Sequence, residues 1–221
     1  MLKSRLKKLI KPPIQLLFRY RARPALAALT SHENSKLKAV GNAIYECLTN
    51  TISDEEQTVI DSIEQRRSYL LGSTRQIPVI DFGAGSPNTN RSRKEMESGF
   101  HSAESVSRIC AASKPAFWAI LLFKLIRKIE PSSCVELGSC VGISASYQAA
   151  ALDINGKGHL MTIEGSPEIA KIAEETFEIL RLRNATVVTG PFHETLKGVL
   201  ESAMPIDFFF NDGHHDHDAV I

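Results

Sequence analysis

Cys134-Val135-Glu136-Leu137-Gly138-Ser139-Cys140-Val141-Gly142, followed by Ile163-Glu164-Gly165, decides the fold of this chain. The first stretch reads as a buried strand that breaks at Gly138 and opens a helix at Gly142. The second places an acid at the tip of the next strand, one βα unit later. A glycine turn and a carboxylate so spaced can grip a nucleoside, because the turn lets the backbone approach and the acid accepts ribose hydroxyls. Gly138 and Gly142 stand in a G-x-x-x-G arrangement. Cys140 occupies the place of a dinucleotide fold's middle glycine, which weakens the reading of a pyrophosphate cradle. Ordinary turn chemistry for the glycines, and a solvated strand end for Glu164, are the plainer alternatives.

Downstream the pattern is regular. Strands are predicted over Ser133–Leu137, His159–Ile163, Ala185–Thr189 and Ile206–Asn211. Helices fall between them: Gly142 to about Leu152, a second capped by Ser166 with Pro167 in its first turn, and a third from about His193 to Ser202. Strands alternating with helices at this spacing imply right-handed βαβ units and a parallel, doubly wound sheet. Phe208, Phe209 and Phe210 in succession suggest a last strand covered on both faces.

Upstream the chain is mainly helical. A capping box is read at Ser53–Glu56, Gly72 is placed for a left-handed helix stop, and Val59, Ile60, Ile63, Tyr69 and Leu70 give a rough apolar face. A short strand, Ile77–Asp81, runs into the turn Phe82-Gly83-Ala84-Gly85-Ser86. The polar run after it has no helix to aim amides at an anion, so a structural turn is expected, with the rim of an active site as the alternative. A helix is predicted from Ser102 to Ser113. A second begins at Pro115, and its run Phe117–Phe123 is expected to be buried against the sheet. The domain reading is a basic arm over 1–34, a helical extension with a short strand over 35–130, and a partial ligand-binding domain over 131–221.

Composition adds mild limits. The 221 residues, 43% hydrophobic and 23% charged, have ordinary globular values. No apolar run reaches the roughly eighteen residues of a membrane span. The cysteines Cys47, Cys110, Cys134 and Cys140 lack metal-ligand spacing, which suggests free thiols and a cytoplasmic setting. Net charge is +1, yet Lys3, Arg5, Lys7, Lys8, Lys11, Arg19, Arg21 and Arg23 crowd the start without an acid, so the body is acidic. That balance argues against a nucleic-acid partner. The basic arm reads as a solvated terminal segment, with contact to a membrane surface as the alternative.

Three segments together carry a resemblance. Val135–Ser139 with Gly142, then Ile163–Gly165, then Phe210-Asn211-Asp212-Gly213-His214-His215, resemble the first, second and fourth signature regions of class I S-adenosylmethionine-dependent methyltransferases. The likeness is to the branch of small-molecule O-methyltransferases and covers Ser133 to Ile221. It implies an α/β, Rossmann-like, doubly wound sheet with strands one to four of the methyltransferase core, behind an N-terminal mainly helical extension. It implies S-adenosylmethionine as cofactor and a small-molecule methyl acceptor. By position, Glu136, Gly138, Ser139 and Gly142 would line the methionine end. Glu164 would hold the ribose, with Gly165 and Ser166 beside the adenosine, and Phe192 would form a stacking wall or else belong to the core. Asp212 matches an acid that faces the methyl group and is a metal ligand in metal-dependent relatives. Asp212 and His215 are the candidate catalytic residues. The run Asp212–Asp218 is dense in metal-ligating side chains, but neighbours on one loop rarely all reach one ion, so no metal site is assigned and a divalent cation is the weaker reading.

The resemblance further implies a helix, a fifth strand and an antiparallel pair beyond Ile221. Strand four would then be left as an open apolar edge, suited to self-association, and part of the acceptor pocket would be missing. A non-catalytic, self-associating or nucleoside-binding module stays open beside the enzyme. An NAD-type Rossmann enzyme is disfavoured by the glycine spacing and by the Asp-Gly-His-His end of strand four.

Overall fold

The computed structural model describes residues 22–83 and 91–213. Most of the basic arm, most of the glycine turn after Phe82 and the His214–Asp218 cluster lie outside those residues. Residues 22–30 form a helix, α1, which packs on α2 (Ser35–Thr49) where Gly41 leaves room; a Cβ there would meet Leu29 Cβ at 2.7 Å. Asn34 caps α2, its side-chain oxygen accepting from the Lys36 and Leu37 amides.

Helix α3 (Asp54–Leu71) begins with the capping box read from the sequence. The Glu56 amide donates to Ser53 Oγ at 3.2 Å, and the Ser53 amide donates to Glu56 Oε2 at 3.0 Å. At its other end Gly72 is right-handed, φ −84°, so the expected left-handed stop is not formed. The segment after α3 departs from expectation further. Strand β1 (Gln76–Asp81) pairs antiparallel with β2 (Phe100–Ser105), so residues 102–105, read as the start of a helix, extend a hairpin. Between them lies a short helix, α4 (Arg93–Ser98). Helix α5 (Val106–Ala111) is only the remainder of the predicted one, restarted by Ser105 as its cap.

Helix α6 (Ala116–Ile129) packs between α2 and α7 (Ile143–Ile154), not against the sheet. It buries Ala119, Leu122, Phe123 and Ile126, whereas Phe117 and Trp118 stay 43% and 55% exposed. The all-apolar run hid a one-sided helix, because its aromatic start precedes the buried stripe. Lys124 of α6 is buried at 1% exposure. Its ammonium bonds to Glu56 at 2.7 Å and Glu46 at 2.9 Å, tying α6 to the capping box of α3 and to α2.

The second sheet is parallel: β3 (Ser133–Leu137), β4 (His159–Glu164), β5 (Ala185–Thr189) and β6 (Phe208–Asn211), in the order β5-β4-β3-β6. Helices α8 (Pro167–Leu180) and α9 (Phe192–Ala203) complete the alternation. Side chains of β3 alternate by face. Cys134 joins the core under α7 and α8, while Val135 and Leu137 join a second cluster with Val199 and Ala203 of α9. Helices on both faces make the sheet doubly wound. The chain reverses direction of travel across the sheet between β3 and β6, and such a switch point opens a crevice at the carboxyl ends of the strands. Strand β6 lies at the sheet's edge among the described residues, and Phe209 is 46% exposed, so it is not covered on both faces as expected. No helix among the described residues is long and apolar enough to cross a membrane.

Replacing Lys124 by Ala leaves Glu46 and Glu56 without their shared buried cation. Urea unfolding should show a loss of about 3 kcal/mol; a change below about 1 kcal/mol would contradict this role.

Candidate active site

At the switch point the chain leaves β3 through Gly138, whose φ is +88°. A Cβ there would lie 3.0 Å from Gly213 Cα and 3.3 Å from the Asp212 carbonyl carbon. Only glycine combines that backbone angle with such close approach to the tip of β6. Gly142, φ +83°, is required by a different neighbour, since its Cβ would press on Ala173 of α8 at 3.1 to 3.2 Å. The two glycines therefore serve two contacts, one with each flanking βα unit.

Between them the loop folds over the end of β4. The amides of Gly138 and Ser139 both donate to the Ile163 carbonyl, at 2.9 and 3.1 Å. The amide of Cys140 donates to Glu164 Oε2 at 3.0 Å, and the amide of Ser166 donates to Glu164 Oε1 at 3.0 Å. One carboxylate thus holds the loop after β3 and the start of α8 at once. Each oxygen still has acceptor capacity, and the residue remains half-buried at the crevice. Burial pushes the Glu164 carboxyl up to about 7, and the charge of Asp81 acts the same way, against the amides of Ser166, Cys140 and Gly165.

Gly138, Glu164, Gly165, Phe192 and Asp212, at or just past the carboxyl ends of the strands, are each partly accessible. Phe192 lies over Gly213, whose Cβ would meet the ring at 2.5 Å, and packs on the α9-side cluster, so the wall and core readings describe one placement. Glu136, Ser139, Gly142 and Ser166 are buried behind these accessible positions. Ser166 Oγ accepts the Ile80 amide at 3.2 Å and so anchors the β1–β2 hairpin. Glu136 faces α7, with Gln148 Nε2 donating to one oxygen and Thr162 Oγ1 to the other, each at 2.8 Å. His215 lies outside the described residues.

Two contributions come from the extension, the first read from the sequence only as the alternative to a structural turn and the second not read at all. Phe82 fits between Gly165 and Gly99, where added Cβ atoms would lie 2.7 and 2.9 Å from its ring. The turn after β1 therefore reaches the rim, beside the residue that follows Glu164. Arg91 braces that turn by donating to Asp81 Oδ2 at 2.7 Å and to the Gly83 carbonyl at 2.8 Å. The second contribution is Lys114, between α5 and α6, whose ammonium is 2.5 Å from Asp212 Oδ1. Nothing in the local pattern around Lys114 marks it, since it precedes Pro115 in a turn and its partner is far along the chain.

A parallel sheet in this order, with a carboxylate at the second strand's tip beside a glycine turn, defines a Rossmann-like, doubly wound fold. Residues 135–221 match a protein-family model described as a methyltransferase domain, which is the part of the chain where the sequence resembles that class. Among solved structures the chain is similar to an O-methyltransferase from Bacillus cereus in complex with SAH, at 25% identity and a TM-score of 0.45, over 48% of this chain and 49% of that one. It is also similar to the O-methyltransferase TomG from Streptomyces achromogenes in complex with SAM, at 24% identity and a TM-score of 0.42, over 46% and 45%. The SAH-bound methyltransferase PaMTH1 from Podospora anserina shares 15% identity over 73% of this chain and 53% of its own, at a TM-score of 0.43. The chain spans about half the length of these proteins. No curated protein matches it.

Burial also pushes the Glu136 carboxyl up to about 7, helped by the charge of Asp212 and opposed by hydrogen bonds from Ser144, Thr162 and Gln148. Its ordinary value is 4.5, so between about 4.5 and 7 the folded chain binds more protons than the unfolded one. Stability from this group is therefore lost as pH rises through that window. Glu136→Gln should flatten the fall in unfolding free energy from about pH 4.5 to 7. Parallel profiles for the two proteins would contradict the assignment.

Proposed function

We propose that this chain binds S-adenosylmethionine across the β3–β6 switch point and transfers its methyl group to an oxygen of a small molecule. The observation that carries the reading is Glu164, a carboxylate at the crevice held by the Cys140 and Ser166 amides with acceptor capacity to spare. Two ribose hydroxyls are the natural donors for those remaining lone pairs. Gly138 brings backbone close enough for the thioether end of a nucleoside to lie along the turn, while Phe192 and Phe82 flank the crevice at two sides. The matched methyltransferase domain and the residues carried over from the class support the same cofactor.

When bound, the cofactor supplies an activated methyl on a sulfonium centre. The chain's part is alignment and exclusion of water, with a group to take the proton from the acceptor's hydroxyl. His215 is the candidate base for that step, and Asp212, at the β6 tip beside Gly138, is a candidate cofactor contact. Among the described residues Asp212 is paired with the Lys114 ammonium, which opposes a divalent cation at that carboxylate. No step is routed through a metal.

Calorimetry with S-adenosylhomocysteine should show binding to the wild type, weakened roughly 10- to 100-fold by Glu164→Gln, as expected for lost bonds to a charged acceptor. Wild-type affinity should rise as pH passes upward through about 7, where Glu164 becomes the better acceptor, and the variant should lack that rise. Absence of binding at millimolar ligand would overturn the cofactor reading.

A further inference from the structure

Lys114 and Asp212 are drawn together from opposite parts of the chain at the mouth of the crevice. The ammonium is 2.5 Å from Asp212 Oδ1, with side-chain exposures of 33% and 18%. Neither partner is loosely hung. The Asp212 amide donates to the Leu137 carbonyl at 3.0 Å, which seats it beside Gly138. The Lys114 carbonyl accepts Arg67 Nη1 at 2.9 Å, which fixes the turn between α5 and α6. The preceding residue, Ser113, has a buried hydroxyl beside the Cys110 and Cys140 thiols, without a hydrogen bond of ordinary geometry. A positive and a negative group thus face each other where the loop after β3 meets the tip of β6.

We propose that Lys114 and Asp212 form the receptor for the α-amino-acid end of the cofactor, Lys114 taking its carboxylate and Asp212 its ammonium. This rests on the S-adenosylmethionine reading of the crevice. The chemistry is a partner exchange. In the structure the two charges satisfy each other. A bound zwitterion replaces one internal ion pair by two pairs of the same kind, so neither protein charge is left desolvated and unpaired. A nucleoside without an amino-acid end would have to leave the internal pair intact and would gain nothing from it. The pair therefore selects for ligands carrying both charges, and it makes the N-terminal extension a direct part of the cofactor site. Lys114 is a binding residue in this account, acting through contact with the ligand.

The test compares two ligands on the full chain: S-adenosylhomocysteine, and 5′-methylthioadenosine, which keeps the nucleoside thioether and lacks the amino-acid end. Lys114→Gln should weaken S-adenosylhomocysteine roughly 10- to 100-fold and change 5′-methylthioadenosine by less than about threefold, with Lys114→Arg recovering most of the loss. Retained 5′-methylthioadenosine binding also shows that the variant is folded. Unchanged affinity for S-adenosylhomocysteine, or an equal loss for both ligands, would overturn the proposal, since Lys114 would then be idle or merely supporting the loop. If the wild type binds neither compound, the cofactor reading itself falls, an outcome distinct from either of these.

Discussion

The carboxylate of Glu164 accepts one backbone amide from the loop after β3 and one from the start of α8, and the geometry of the site follows from that bridge. Without it, the Cys140 turn would carry an unpaired amide at a residue already in the left-handed region, φ 50°. With it, the loop lies down over the end of β4, and the Ile163 carbonyl takes the two preceding amides, those of Gly138 and Ser139. The carboxyl sits at its raised value because the same burial that strengthens these bonds disfavours the charge. A group so held is poised to gain from any donor that enters the crevice.

The N-terminal extension is joined to this arrangement at several points. Ser166, next to Glu164 across Gly165, uses its hydroxyl to hold the hairpin through the Ile80 amide. Phe82 then covers Gly165. Lys114 comes from the other side and pairs with Asp212. The parallel sheet places the acid and the glycine turn, while the extension supplies part of the rim and one of the site's charges. Within the extension, Lys124, buried between α6, α2 and α3, holds these helices to one another.

How much of this was legible follows from the range of each interaction. Strand–turn–helix periodicity is local, so the four parallel strands, the Gly138 turn and the position of Glu164 could be read directly. Local patterns misled where tertiary partners decide. Residues 102–105 carry no strong strand signal, but β1 supplies a partner, and pairing wins over a weak helix start. Glu136 stands in the signature segment, yet β-strand alternation turns it toward α7, where Thr162 and Gln148 enclose it. Lys114 could not be found from spacing at all, because its partner Asp212 lies in the last described strand's turn. Ser166 was placed correctly as a helix cap, while the use of its hydroxyl to hold the hairpin depends on a partner 86 residues away and left no local signal.

The central claim is that the β3–β6 switch point is a nucleoside site organised by Glu164. A crystal structure of the full chain with S-adenosylhomocysteine tests it most directly. The account predicts ribose hydroxyls within hydrogen-bond distance of Glu164, with the thioether along the Gly138 turn. A ligand bound elsewhere, with the Glu164 carboxylate touching only the Cys140 and Ser166 amides, would contradict it.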